Sequence, residues 1–384
     1  MTPQAPKAEQ TPHGRAAYDA TLAWNGTDYA LVWADARDSD SDSAKSELYF
    51  RRLSADGELL GPPQRLTTSP ARRANTRPAL VFDGRGYGLA WRSHVNHQAQ
   101  TVHFGRLSPE GAFVDAPHAM TGARWYGQGE PALAWSPGEG YGVFWFESVA
   151  VNDFTTETSL RYAAFEGSGA LHLGPVALTD KTELVGGNAV TAVHSQGRFR
   201  VVWSPSWYAS HYADVGFDAD MGPTRTLYDD PGQSSRRLYS NVLVPTSPAE
   251  LGLGWLAKRH SGLWFGGLSL DGEITLEPKR VVAGSSNAKR PPKLAWDGVG
   301  FSLAWTNSPH DRALHFAQLS TDGAPRGPAV ELADRVQRAD AIAAAEDHIA
   351  VAWTRSLGVD RSEVWVTRLS REGRVLGPDL RVAP

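Results

Sequence analysis

The 384-residue chain has no cysteine, which excludes disulfides, thiolate metal sites and cysteine nucleophiles. No apolar run approaches the twenty or so residues that a membrane-spanning helix needs. No segment carries a sustained helical stripe of apolar residues, so an α-rich fold is excluded as well. A phosphate-binding Gly-rich loop, a dinucleotide fingerprint and a His-Glu-x-x-His pair are all missing. Charge of either sign is close to balanced, with 38 Lys and Arg against 42 Asp and Glu, a formal net of −4. That leaves no basic footprint for nucleic acid, and pairs such as Arg72-Arg73 and Arg236-Arg237 read as solvated loop charges. Residues 1–14 are polar and Pro-rich without a signal-peptide apolar core. They read as a flexible N-terminal tail of the kind left after a leader is removed.

Tryptophan is abundant and regularly placed. Seven of the 14 tryptophans end the same short phrase at intervals of about fifty residues. The phrases are Tyr29-Ala-Leu-Val-Trp33, Tyr87-Gly-Leu-Ala-Trp91, Tyr141-Gly-Val-Phe-Trp145, Phe199-Arg-Val-Val-Trp203, Leu251-Gly-Leu-Gly-Trp255, Phe301-Ser-Leu-Ala-Trp305 and Ile349-Ala-Val-Ala-Trp353. About nine residues before each lies another apolar run, as in Thr21-Leu-Ala-Trp24 and Lys293-Leu-Ala-Trp296. Turn formers such as Asn25-Gly26, Asp83-Gly84 and Asp297-Gly298 separate the two, which predicts an antiparallel hairpin.

A third run, as in Leu48-Tyr-Phe50 or Leu314-His-Phe316, flows into Leu53-Ser-Ala-Asp-Gly57, Leu107-Ser-Pro-Glu-Gly111 and their copies. The fourth blade's copy is weak, with Tyr212 to Phe217 in third place and no clear Asp-Gly. A fourth run closes each unit, often after Gly-Pro. The runs are short, alternating and rich in aromatic and β-branched residues, which predicts strands. Four antiparallel strands repeated seven times predict an all-β, seven-bladed β-propeller over residues 15–384, a single domain despite its length. The Tyr, Leu and Trp of each second strand share a face and are expected to pack against the next blade. The last blade is expected to supply its own fourth strand near Leu380.

These phrases resemble the repeats of secreted and surface seven-bladed β-propeller proteins of myxobacteria and related bacteria. The Ser-x-Asp-Gly turns are similar, more distantly, to the Asp-box turns of sialidase-type propellers. They depart from that pattern because Gly57 directly follows Asp56 and no Thr-Trp comes after. They therefore read as hairpin structure, with no sialidase activity carried over. The resemblance, with the lack of cysteine, implies an extracytoplasmic location: secreted, periplasmic or held at the cell surface.

In a propeller the second-to-third loops and the crossovers between units fall on one face. Here both sets are long and dissimilar, which marks that face for binding. Residues just before each first strand are expected to ring the channel mouth there: Asp19, Arg77, Glu130, Asn188, Ser240, Arg290 and Asp340. Trp125-Tyr126 and Trp207-Tyr208 offer flat rings for a sugar or a protein partner. Glu130 and Glu147, expected to lie close together near Arg77 and Arg92, form a carboxylate pair of the kind glycoside hydrolysis uses. Asp38, Asp40 and Asp42 alternate as in a calcium loop but lack the Gly and the distal Glu an EF-hand requires, so a solvated acidic loop is expected, and calcium is the one cofactor these residues admit. His94, His97 and His103 lack a visible fourth ligand for zinc. His103 stands where other blades carry Tyr49, Trp264 or Trp365, which predicts packing.

The chain is therefore expected to be a non-enzymatic binding propeller. Its ligand-binding residues are Trp125, Tyr126, Trp207, Tyr208, Arg77, Arg92, Glu130 and Asn188, and its ligand is a glycan or a protein. The alternatives are a carbohydrate-active hydrolase or lyase using Glu130 and Glu147, and a structural assembly module.

Overall fold

The computed structural model describes residues 16–38, 45–70, 73–95, 99–120, 130–150, 156–180, 182–183, 189–206, 209–229, 238–247, 250–257, 262–283, 292–306, 312–358 and 361–383. They form seven blades of four antiparallel strands arranged as a β-propeller. Blade one consists of Ala17–Trp24, Asp28–Asp35, Glu47–Ser54 and Leu59–Arg65, paired in sequence order. The other six repeat this order. Blade three adds a short fifth segment, Thr182–Glu183, on its third strand. The last blade is Val336–Ala344, His348–Gly358, Arg361–Ser370 and Leu380–Ala383, so its fourth strand comes from the same stretch of chain as the other three. Among the described residues no helix is long and apolar enough to cross a membrane.

Burial runs in a gradient that explains each strand's composition. Every residue of the second strand Asp28–Asp35 is buried, because a blade lies against each of its faces, and so it reads as a near-continuous apolar run. The fourth strand Leu59–Arg65 lies at the rim and is largely exposed, which suits its polar sequence. Trp33, Trp91, Trp145, Trp203, Trp305 and Trp353 are all at most 3% exposed, while the Trp255 side chain lies outside the described residues. Among the described residues the last blade is made of its own four strands. Tyr29, Leu31 and Trp33 of blade one share a core with Ala350, Ala352, Val364 and Val366 of blade seven, and the Ser362 hydroxyl donates to the Ala17 carbonyl at 2.9 Å.

That seam corrects one expectation. The Tyr-Leu-Trp face packs on the preceding blade, not the next. Tyr141, Val143 and Trp145 of blade three meet Ala90, Val102 and Phe104 of blade two, and Tyr87, Leu89 and Trp91 meet Val32 and Phe50 of blade one. Alternation divides a strand's residues between two faces but does not say which neighbour each face meets. The tight fit depends on small residues in the older blade. A Cβ on Gly88 would fall 2.5 Å from the Tyr141 ring, and one on Gly142 would fall 2.8 Å from Phe199.

One turn joins the third and fourth strands in all seven blades. In blade one the Ser54 N–H donates to the Glu58 carbonyl and the Gly57 N–H to the Ser54 carbonyl. The fourth residue is left-handed in every copy, with φ between +77° and +93° at Gly57, Gly111, Gly169, Gly272, Gly323 and Gly373. Blade four keeps the turn although its sequence hides it. Gly216 and Ala219 make the same two bonds, and Ala219 takes φ +65°. The turn also touches the preceding blade, since a Cβ on Gly111 would lie 2.1 Å from the Phe50 ring.

Two stability predictions follow from this packing. Trp145→Ala should cost about 3–5 kcal/mol, the range for emptying a buried aromatic site; an unfolding midpoint left unmoved would contradict the inter-blade core. At the turns, Ala219→Gly should stabilise by about 0.5–1 kcal/mol by relieving left-handed strain. Gly111→Ala should destabilise by more than that, because strain and overpacking on Phe50 add. Denaturant titration of the pair distinguishes the two signs.

Candidate binding site at the channel mouth

The first strands of blades one, two and seven carry an irregularity near the site. Register shifts between Tyr18 and Thr21, between Thr76 and Ala79, and between Ala339 and Ala341. These bulges take in Asp19, Arg77 and Asp340. Asp19 and Arg77, at equivalent places, are held left-handed at φ 55° and 54°, a conformation that costs a non-Gly residue roughly 1–3 kcal/mol. Bulges re-aim side chains, and here they turn the side chains of several blades into one cavity.

That cavity has a volume of about 200 Å³ and is walled by Asp19, Arg77, Glu130, Lys293, Arg338 and Asp340, with small apolar residues such as Ala79 and Pro131 between them. Blades one, two, three, six and seven all contribute. Arg77 Nη1 donates to Glu130 Oε1 at 2.8 Å, and the Arg77 backbone N–H donates to Asp19 at 3.2 Å. Arg338 pairs with both Asp19 and Asp340, and the Thr354 hydroxyl donates to Asp340 at 2.6 Å. Arg338 is only 6% exposed, whereas Glu130 presents 43% of its side chain to the cavity.

These neighbours set the protonation states. Burial pushes the Glu130 carboxyl upward, but Lys293 and Arg77 outweigh it and hold Glu130 below the usual carboxylate range. Burial wins at Asp340, which is raised despite Arg338. Arg338 is the reverse case. Its carboxylate neighbours overcome burial and hold it above the ordinary guanidinium value. Arg92, 6% exposed, is lowered to about 10 by burial and then by the charge of Arg77. At neutral pH Glu130 is therefore an ionised acceptor facing the opening.

Of the residues expected at the mouth, Asp19, Arg77, Glu130 and Asp340 line this cavity. Arg92 sits close enough to feel Arg77, Asp19 and Glu130. Lys293 and Arg338 were missed: Arg338 lies between two register shifts of its strand, while Lys293 opens its strand in unshifted pairing with Ala304, three residues past the expected Arg290. Glu147 goes elsewhere. Its carboxylate meets Arg161 Nε at 3.3 Å, across the blade, and it is not part of the cavity wall. Trp125, Tyr126, Trp207, Tyr208, Asn188, Arg290, Asp40, Asp42 and His97 lie outside the described residues, as does the side chain of Ser240. Asp38 is engaged by Arg65 at 3.1 Å and accepts from the Tyr49 hydroxyl. No group of three potential metal ligands occurs among the described residues.

His103 packs. Its ring stacks on Trp91 with centroids 4.9 Å apart, and its Nε2 lies 2.8 Å from the Ser93 hydroxyl. The equivalent His315 stacks on Trp305, and Trp365 on Trp353.

No protein-family model matches the chain, and no curated protein matches it. Solved structures do. A puromycin hydrolase superposes with a TM-score of 0.57 at 16% identity over 94% of this chain and 53% of its own. This is a likeness of fold. The chain spans about half the length of that hydrolase. A protein of unknown function from Dyadobacter fermentans gives 0.46 at 8% identity, covering 92% of this chain and 94% of its own. The Aleuria aurantia lectin gives 0.45 at 10% identity, over 82% and 96% respectively.

The half-buried His103 imidazole generates a pH prediction. Burial, then the charge of Arg73, lowers His103 from the ordinary 6.5 to about 4. Between those values the unfolded chain binds a proton that the native state does not, so stability should fall as pH drops from about 6.5 to about 4. His103→Phe should shrink that slope in urea titrations at pH 7 and pH 4.5. His194, lowered in the same direction, supplies part of the remainder. An unchanged slope in the variant would refute the assignment.

Proposed function

We propose that the chain is a non-enzymatic, extracytoplasmic binding propeller that takes the end of a glycan into the channel mouth on its long-loop face. The carrying observation is the cavity of about 200 Å³ whose wall mixes Asp19, Glu130 and Asp340 with Arg77, Lys293 and Arg338. Its size suits one small polar unit better than a protein surface. Its donors and acceptors, set on rigid strands, suit hydroxyl groups. The aromatic pairs Trp125-Tyr126 and Trp207-Tyr208 belong to loops of the same face by their place in the repeat, and they would stack on the sugars that follow.

Binding without turnover is favoured over hydrolysis by the carboxylates themselves. A general acid for glycoside cleavage needs a raised pKa, whereas Glu130 is held low by Lys293 and Arg77. Its expected partner Glu147 is paired with Arg161. Asp340 is raised, but Arg338 and Thr354 enclose it.

A glycan array followed by calorimetry tests this reading. The native chain should bind one class of glycan and release no product from it. Thr21→Trp, which fills the cavity wall with an indole, should abolish binding while leaving the unfolding midpoint nearly unchanged. Trp125→Ala and Trp207→Ala should each weaken binding about thirtyfold, the loss of one stacking hot spot. Glycan turnover that disappears in the Glu130→Gln, Glu147→Gln double variant would overturn the proposal in favour of a hydrolase. Binding indifferent to Thr21→Trp would move the site elsewhere.

A further inference from the structure

The chain contains a single Asn-Gly pair, Asn25-Gly26, and it sits at a joint between two blades. Asn25 opens the tight turn between Ala17–Trp24 and Asp28–Asp35, and its side-chain amide uses its full hydrogen-bonding capacity. Its Oδ1 accepts from the backbone N–H groups of Thr27 and Asp28, both at 2.8 Å. Its Nδ2 donates to Asp28 Oδ1 and, across the seam, to the Tyr87 hydroxyl of blade two, both at 2.9 Å. The equivalent turns of blades two and six carry aspartate at this place, since the Asn25, Asp83 and Asp297 N–H groups each donate to the carbonyl three residues on. In those two turns the fourth residue is Gly86 or Gly300. In blade one it is Asp28, 6% exposed, and burial already holds its carboxyl above the usual range. A second carboxylate at position 25 would face it directly, so this turn needs an amide where the others tolerate an acid.

An asparagine followed by glycine is open to attack by the next residue's own backbone nitrogen. Glycine has no Cβ to block the approach, and the reacting atoms are already joined in one chain. Gly26 meets this condition: it is exposed, and a Cβ built on it would meet nothing within 4 Å. We infer that Asn25 is a latent modification site, protected while the seam between blades one and two is closed and converted to aspartate or isoaspartate once the seam parts. The Gly26 nitrogen bonds to Cγ of Asn25, its proton and the side-chain amide group leave together as ammonia, and a five-membered imide remains. Water then opens one of the two C–N bonds of the imide, giving aspartate or isoaspartate. The closed seam opposes the first step, because four hydrogen bonds hold the amide in place. The product opposes re-closure. An aspartate at position 25 lies against Asp28 with no proton to donate to it, and an isoaspartate lengthens the backbone of the turn by one atom. The conversion runs one way, so the joint keeps a record of having opened.

The test incubates the native chain beside the chain unfolded in guanidinium chloride, both at neutral pH. Residue 25 is followed by peptide mass mapping and by isoaspartate detection. Conversion should be about tenfold slower or more in the native chain, set by the free energy of opening the seam. Tyr87→Phe keeps the ring and removes one of the four bonds. It should speed conversion in the native chain by roughly two- to tenfold and leave the rate in denaturant unchanged. Asn25→Asp should lower the unfolding midpoint, and Asp28→Asn added to it should recover most of the loss. Equal rates in the native and unfolded chains would overturn the inference, and that comparison needs no variant. So would a native rate indifferent to Tyr87→Phe, or an Asn25→Asp chain as stable as the unaltered one.

Discussion

The structure depends on an aromatic ring being seated on a nearly bare stretch of the preceding blade. Tyr141 sits over Gly88 and Phe199 over Gly142, and the same relation brings Tyr29 of blade one against blade seven. The ring alone would bury area without fixing a position. The missing side chain beneath it sets how closely two blades approach, and close approach lets Trp145 and its equivalents fill the remaining space. Polar partners then fix the orientation. Asn25 donates to the Tyr87 hydroxyl at 2.9 Å, and the Tyr141 hydroxyl bonds to Asp83, so the tight turn of one blade's first hairpin also holds the aromatic of the next. The turn between the third and fourth strands makes the same kind of contact through the Tyr162 hydroxyl, which donates to the Phe217 carbonyl at 3.1 Å. Hairpin chemistry and inter-blade packing are therefore the same residues used twice.

This double use is why so much of the fold was legible in the sequence. A residue constrained both by its own turn and by its neighbour recurs in every unit, and recurrence is what a single sequence displays best. The seven phrases ending in tryptophan, the Asn-Gly and Asp-Gly hairpins and the closing strand near Leu380 were readable for that reason. Blade four was the weak copy because Ala219 replaces glycine at the left-handed position. The surrounding blade imposes the turn anyway, a case of tertiary context overriding local preference. The hand of packing was not legible. Ala30 and Val32 on one face, and Tyr29 and Leu31 on the other, are both apolar, and nothing in their alternation distinguishes the preceding blade from the following one.

The channel mouth was legible as a region and less so as a set of side chains. Asp19, Arg77, Glu130 and Asp340 could be picked out because a polar residue preceded each first apolar run. Lys293 lies three positions after Arg290, and Arg338 two before Asp340. In blade seven the bulge between Ala339 and Ala341 leaves no glycine or proline as a signature, and in blade six Lys293 opens its strand with no bulge at all. Backbone proximity also misled about Glu147. The ladder between the first two strands of blade three ends at Ala132 and Phe144, short of both carboxylates, and the Glu147 side chain reaches across to Arg161 on the third strand. Two carboxylates near the same end of a hairpin can belong to different electrostatic neighbourhoods.

The cavity is assembled from five separate blades, each of which offers it only one to four residues. The cavity therefore depends on how these blades are spaced around the ring. Adding or removing one repeat would leave every remaining blade with its strands, turns and neighbour contacts in kind. It would nonetheless change the radius of the channel and the angle between adjacent first strands, and so separate Glu130 from Arg77 and Asp19 from Arg338. A repeat protein of this type can therefore lengthen or shorten with its blade contacts kept in kind, but this cavity exists at only one ring size.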